Sequence, residues 1–97
     1  MGLLVEYTIA EGKAEEQIAE MEKFIAGLRE MADPGFTYTG YRTDDPTRFI
    51  GVFEFDDDAA KMRFLESAPF TAYRDGSKGR FTGPPATTKI ERIASTR

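Results

Sequence analysis

Leu3, Val5, Tyr7 and Ile9 alternate with Leu4, Glu6, Thr8 and Ala10. A period of two, rich in β-branched and aromatic side chains, predicts a strand. Glu11-Gly12 ends it, and from Lys13 to Met31 the period lengthens. Ala14, Ile18, Met21, Ile25, Leu28 and Ala32 recur at helical spacing, the apolar stripe of an amphipathic helix. Glu15 and Glu16 fall in its first turn, where the helix dipole favours negative charge. Asp33-Pro34-Gly35 stops it, because proline lacks a donor and disfavours helix at the residue before it. Phe24 lies off the stripe and is expected to widen the buried face.

A second strand is predicted from Phe36 to Arg42, with Phe36 and Tyr38 on one face and Thr37, Thr39 and Tyr41 on the other. The turn-rich stretch Thr43-Asp44-Asp45-Pro46-Thr47 leads into a third strand, Arg48 to Asp56, so the two form a hairpin. Phe49, Gly51, Phe53 and Phe55 share one face of that strand, and Ile50, Val52 and Glu54 the other. The aspartates Asp56 to Asp58 cap a helix beginning near Ala59, with Ala60, Phe64 and Ala68 along one stripe. Pro69 suits the first turn of a further short helix carrying Phe70 and Tyr73, ended by Asp75-Gly76. Gly83-Pro84-Pro85 reads as an extended spacer, and Thr87 to Ala94 as a last strand.

Strand, helix, strand, strand, helix, strand suits an α+β domain with helices on one face of an antiparallel sheet. The strands are apolar on both faces, Phe49, Phe53 and Phe55 against Ile50 and Val52. Helices cover one face only. In 97 residues, enough for a single domain spanning 1–97, the other cover has to come from a second copy. A homodimer with two sheets face to face is therefore expected.

Composition narrows the chemistry. The chain has no histidine and no cysteine, which removes the commonest metal ligand, haem ligand and neutral-pH base, and any thiolate. No metal or other cofactor is expected. Residues 1–73 carry seven basic against fifteen acidic side chains, and residues 74–97 six against two. An acidic whole argues against nucleic acid as a partner. The basic end favours a small anionic ligand or an acidic surface. No run is long and apolar enough to span a membrane, and no secretory pattern opens the chain, so a cytoplasmic location is the default expectation.

The stretches Asp44-Asp45-Pro46-Thr47-Arg48-Phe49, Phe53-Glu54-Phe55-Asp56, Asp58-Ala59-Ala60 and Ser67-Ala68-Pro69-Phe70 resemble the antibiotic biosynthesis monooxygenase family. Pro34-Gly35 and Gly83-Pro84-Pro85 also fit, so the resemblance covers nearly the whole chain. It implies a ferredoxin-like βαββαβ fold paired into a dimeric α+β barrel. It also implies dioxygen chemistry without metal, flavin or haem, on an electron-rich phenol or polyketide-like aromatic that supplies its own electrons. The polar residues common in the family are missing. Phe53 and Phe55 stand where glutamate and tryptophan are frequent, and Phe64 where a histidine is.

Such chemistry needs an apolar slot, stabilisation of a phenolate, and exclusion of water. Phe53, Phe55, Phe64 and Tyr73 match the strand face and helix stripe that border the family's cavity. Tyr7 and Tyr38 are candidate ligand hydrogen-bonding groups. Tyr73 and Arg74, on the short helix near the mouth, are the candidate catalytic pair, Arg74 by a charge-assisted bond to an oxyanion; Arg42 and Arg80 are other possible sources of that charge. Phe36, Phe49 and Phe81 read as core. A cofactor-free monooxygenase is the leading expectation. The alternatives are a non-redox cyclase or isomerase, a binder of an aromatic metabolite, and a non-catalytic dimer whose cavity is filled by Phe53, Phe55 and Phe64.

Overall fold

The period-two segments pair as strands and the longer-period segments pack as helices over one side of them. A computed structural model describes residues 1–96. Its elements are β1 (Gly2–Thr8), α1 (Ala14–Met31), β2 (Phe36–Arg42), β3 (Arg48–Phe55), α2 (Asp58–Leu65), α3 (Ala68–Gly76) and β4 (Ala86–Ile90), with a single 3-10 turn at Ser77–Gly79. The strands form one sheet in the order β2-β3-β1-β4, every neighbouring pair antiparallel. This is the ferredoxin-like α+β arrangement.

Register decides which residues face the helices. Val5 lies opposite Gly51, Tyr7 opposite Phe49, and Phe36 opposite Phe55. All are buried, as is Phe53. The opposite face carries Leu4, Thr39, Tyr41, Ile50, Val52 and Ile90, half-buried or exposed, with Tyr41 at 53%.

The buried side of α1 is centred on Gln17, Met21, Phe24 and Leu28. Ile18 and Ile25 fall at its margin. Phe24 is buried as expected, its ring stacked on Tyr73 at 4.6 Å. Ala32 ends the helix in the left-handed conformation, at φ 50°. Just beyond, Asp33 accepts from Arg63 Nε at 2.6 Å and Nη2 at 3.2 Å, which ties α2 to the turn entering β2.

Two boundaries differ from the sequence expectation. Ala68 does not continue the Ala60–Phe64 stripe. Ser67 donates to the Phe64 carbonyl at 2.7 Å and accepts from the Phe70 amide, ending α2 and capping α3. The last strand stops at Ile90 rather than Ala94; Ile90 pairs with Gly2, the first residue of β1.

Asp57 accepts from the Ala60 amide at 2.8 Å and is the N-cap of α2. Loss of such a cap costs about 0.5–2 kcal/mol. Asp57→Ala is expected to lower the urea midpoint accordingly, with the slope of the transition unchanged.

Candidate functional site: an aromatic chamber backed by a buried arginine

β1 and β3 present large side chains toward α2 and α3, and the two short helices do not fill the space between. A chamber of about 320 Å³ remains. Its inner wall is Val5, Tyr7, Phe53 and Phe55, from the strand positions that face the helices. Phe64 and Phe70 close it from α2 and α3, and Tyr73 and Arg74 stand beside them. Ser77, Phe81 and Thr87 complete the rim.

The rings form a continuous box. Phe53 and Phe55 are stacked at 6.4 Å and 8°. Phe64 meets both edge-on, at 4.9 and 5.6 Å, and Phe70 lies 5.1 Å from Phe64. Phe64 lines the chamber without filling it. Tyr7 stands edge-on to Tyr73, at 6.2 Å and 84°.

Of the residues singled out in the sequence, Tyr7, Phe53, Phe55, Phe64, Tyr73 and Arg74 all line this one space. Tyr38 does not. Its ring lies across Gly51, where an added Cβ would come within 2.8 Å of its hydroxyl, and packs between Phe24 and Phe53. It stands behind the wall, and its hydroxyl is buried without a hydrogen-bond partner.

Gln17, which sequence patterning did not assign to the site, and Arg80, which it offered only as an alternative source of charge, stand behind Tyr73. Gln17 is fully buried on α1 and donates from Nε2 to the Tyr73 hydroxyl at 2.7 Å. Its Oε1 accepts from Arg80 Nε at 2.9 Å. Arg80 is only 3% exposed. Its Nη1 donates to the Gly76 carbonyl at 2.6 Å, while Nη2 is buried without a partner. No carboxylate lies within ion-pair distance of this guanidinium among the described residues. The backbone fixes its place. The Ala10 amide donates to the Arg80 carbonyl at 2.8 Å, and Phe81 bridges Ile9.

Burial raises the pKa of Tyr73, against opposing effects of Gln17 and Arg80. Burial first, and then Tyr73, push Tyr7 well above the usual phenol range against an opposing effect of Tyr38, and burial followed by Tyr7 and Tyr73 does the same at Tyr38. All three stay protonated at neutral pH. Tyr73 accepts from Gln17 and keeps its own hydrogen for donation. The chamber is thus walled by protonated tyrosines with a cation at its rim, and no carboxylate lines it among the described residues. No cluster of three or more carboxylates suited to a metal ion occurs among the described residues.

Gln17→Leu would leave both the Tyr73 oxygen and Arg80 Nε without their buried partner. A buried group left unsatisfied costs about 1–3 kcal/mol. Equilibrium urea unfolding is expected to show a loss of that size; an unchanged midpoint would mean the Gln17 link contributes nothing to stability.

Known proteins place the fold. No family model matches the sequence, and no curated protein is similar to it. Solved structures are. The PA3566 protein of Pseudomonas aeruginosa is 23% identical, with a TM-score of 0.81 over 96% of this chain and 93% of that one. Two others each bear the name "putative antibiotic biosynthesis monooxygenase". The Nitrosomonas europaea protein has a TM-score of 0.84 at 17% identity, covering 96% of this chain and 98% of its own. The one from Caulobacter crescentus has a TM-score of 0.84 at 15% identity, covering 96% and 89%. The chain has the ferredoxin-like α+β fold of these antibiotic biosynthesis monooxygenase structures.

Proposed function

We propose that the protein is a cofactor-independent monooxygenase of the antibiotic biosynthesis monooxygenase type, acting on a planar aromatic phenol bound in the chamber. The observation that carries this reading is the apolar space of about 320 Å³ with Tyr73 on its wall, its oxygen held by Gln17. The fold is shared with structures bearing the monooxygenase name, which supports the reading. A filled cavity would favour a non-catalytic dimer, and here the rings border open space.

In this reading the phenol ring lies among Phe55, Phe64 and Phe70. Stacked and edge-on aromatic contacts hold it flat. Tyr73 donates to the ligand oxygen, where negative charge gathers as the ring reacts. Arg74 at the rim supplies a positive charge to the same end. Because the tyrosines stay protonated, the phenolic proton leaves to solvent at the rim rather than to a side chain of the wall. Dioxygen then attacks the electron-rich ring. One oxygen atom stays on carbon as a new carbonyl. The other leaves as water with the displaced ring hydrogen and the phenolic proton, and all electrons come from the substrate.

The half-buried apolar outer face of the sheet supports a homodimer, with Leu4, Ile50 and Val52 at its centre. Such an obligate interface buries on the order of 2,000 Å² in total. Sedimentation equilibrium at micromolar concentration is expected to give twice the chain mass of 10.9 kDa. A monomer mass would contradict it.

Oxygen uptake with a panel of hydroxynaphthoquinones and anthrones, without added cofactor, tests the catalytic reading. At least one is expected to support turnover. Tyr73→Phe keeps the ring and loses the donor, so ligand affinity or turnover should fall by about 0.5–1.5 kcal/mol. Binding without oxygen uptake across the panel would favour a binder or a non-redox enzyme.

A further inference from the structure

Among the described residues, Arg74 is the only ionised side chain that lines the chamber. Its guanidinium lies over the Phe70 ring, 5.6 Å from the centroid, which orients it at the chamber's edge. Its one ion partner, Asp75, sits at 3.9 Å, is as exposed as Arg74 itself, and lies outside the lining. Behind the neighbouring Tyr73 stands the second cation, Arg80, buried and without a carboxylate within ion-pair distance. The opposite end is different. A cleft of about 650 Å³ opens beyond Leu3 and Phe55, which both spaces share, and there Lys61 and Lys89 are matched by Asp58 and Glu91. Glu20 and Asp75 lie near the Tyr73–Arg74 end as well, but neither lines the chamber, so the charge that borders the open space there is that of Arg74. Low-dielectric walls strengthen the pull of such charges on an anion.

Resting on the chamber reading above, we propose that the chamber selects aromatic acids. The flat ring system occupies the phenylalanine box, and a carboxylate on its edge pairs with the Arg74 guanidinium at the rim. Planar guanidinium and planar carboxylate match through parallel hydrogen bonds, which a neutral amide of the same shape cannot reproduce. Arg74 is a specificity residue in this arrangement, separate from the hydroxyl of Tyr73 that meets the ligand oxygen.

Fluorescence titration with anthracene-2-carboxylate and its neutral isostere, anthracene-2-carboxamide, tests this at pH 7 and low salt. The carboxylate is expected to bind about tenfold tighter or more, as a charge-assisted bond implies. Added salt should narrow the gap. Arg74→Gln should bring the carboxylate down to the level of the carboxamide, while Lys89→Gln keeps the preference. Circular dichroism melts of both variants confirm that they fold. Equal affinities in the unaltered protein, or a preference surviving in Arg74→Gln, overturn the proposal and leave the aromatic chamber standing. Loss of preference in Lys89→Gln alone overturns it by moving the acid to the other cleft. Failure of both probes to bind overturns it together with the chamber reading.

Discussion

Phe64 packs against the rings of Phe24, Phe36, Phe53, Phe55 and Phe70 at 4.9 to 5.9 Å. Through this one ring α2 is held to β2, β3, α1 and α3. Two short helices, α2 and α3, have to roof the β1 side of the sheet, and neither reaches across it. Phe64 fixes their height above the strands, so the space left over becomes a chamber of definite shape. Edge-on contacts to Phe53 and Phe55 keep those rings flat against the sheet rather than folded into the gap. Deep burial of one aromatic side chain thus explains both the packing and the opening beside it.

The polar side of the chamber depends on a buried link from α1. Gln17 reaches Tyr73 with its amide nitrogen and Arg80 with its oxygen, so one side chain serves as acceptor and donor at once. A buried arginine is expensive unless its donors are satisfied, and here backbone and amide oxygens, not a carboxylate, satisfy Nε and Nη1. Its positive charge remains uncancelled by an ion pair. Together with protonated tyrosines, this gives a site suited to stabilising negative charge and poorly suited to taking up protons.

The strands, their two-sided character and the aromatic wall were legible because period-two alternation and ring content are local properties. Phe53, Phe55, Phe64 and Tyr73 followed from setting strand face and helix stripe beside the cavity of the family that the sequence resembles. Gln17 was not assigned and Arg80 was offered only as an alternative source of charge, since both are polar types usually exposed and they lie 63 positions apart. Only tertiary packing brings them together. Tyr38 shares the strand face of Phe36, yet Gly51 opposite β2 lets its ring lie down across β3 and leave the chamber. Phe81 read as core, and it packs half-buried against that core on Tyr7 while also bordering the chamber. At the C-terminal end, Ile93 and Ala94 continue an apolar alternation, but a strand needs a partner. β1 begins at Gly2, the partner of Ile90, and the pairing ends there.

In the proposed reading, planar aromatic molecules enter between the sheet and the α2–α3 pair. Intermolecular nuclear Overhauser effects between bound anthracene-2-carboxylate and the protein test it directly. Contacts from the ligand ring protons to Phe55, Phe64 and Phe70 are predicted, with the carboxylate-bearing edge nearest Arg74. Contacts instead to Leu4, Ile50 and Val52 on the outer sheet face, or to the groove between α1 and α3 at Gly27 and Met31, would contradict it.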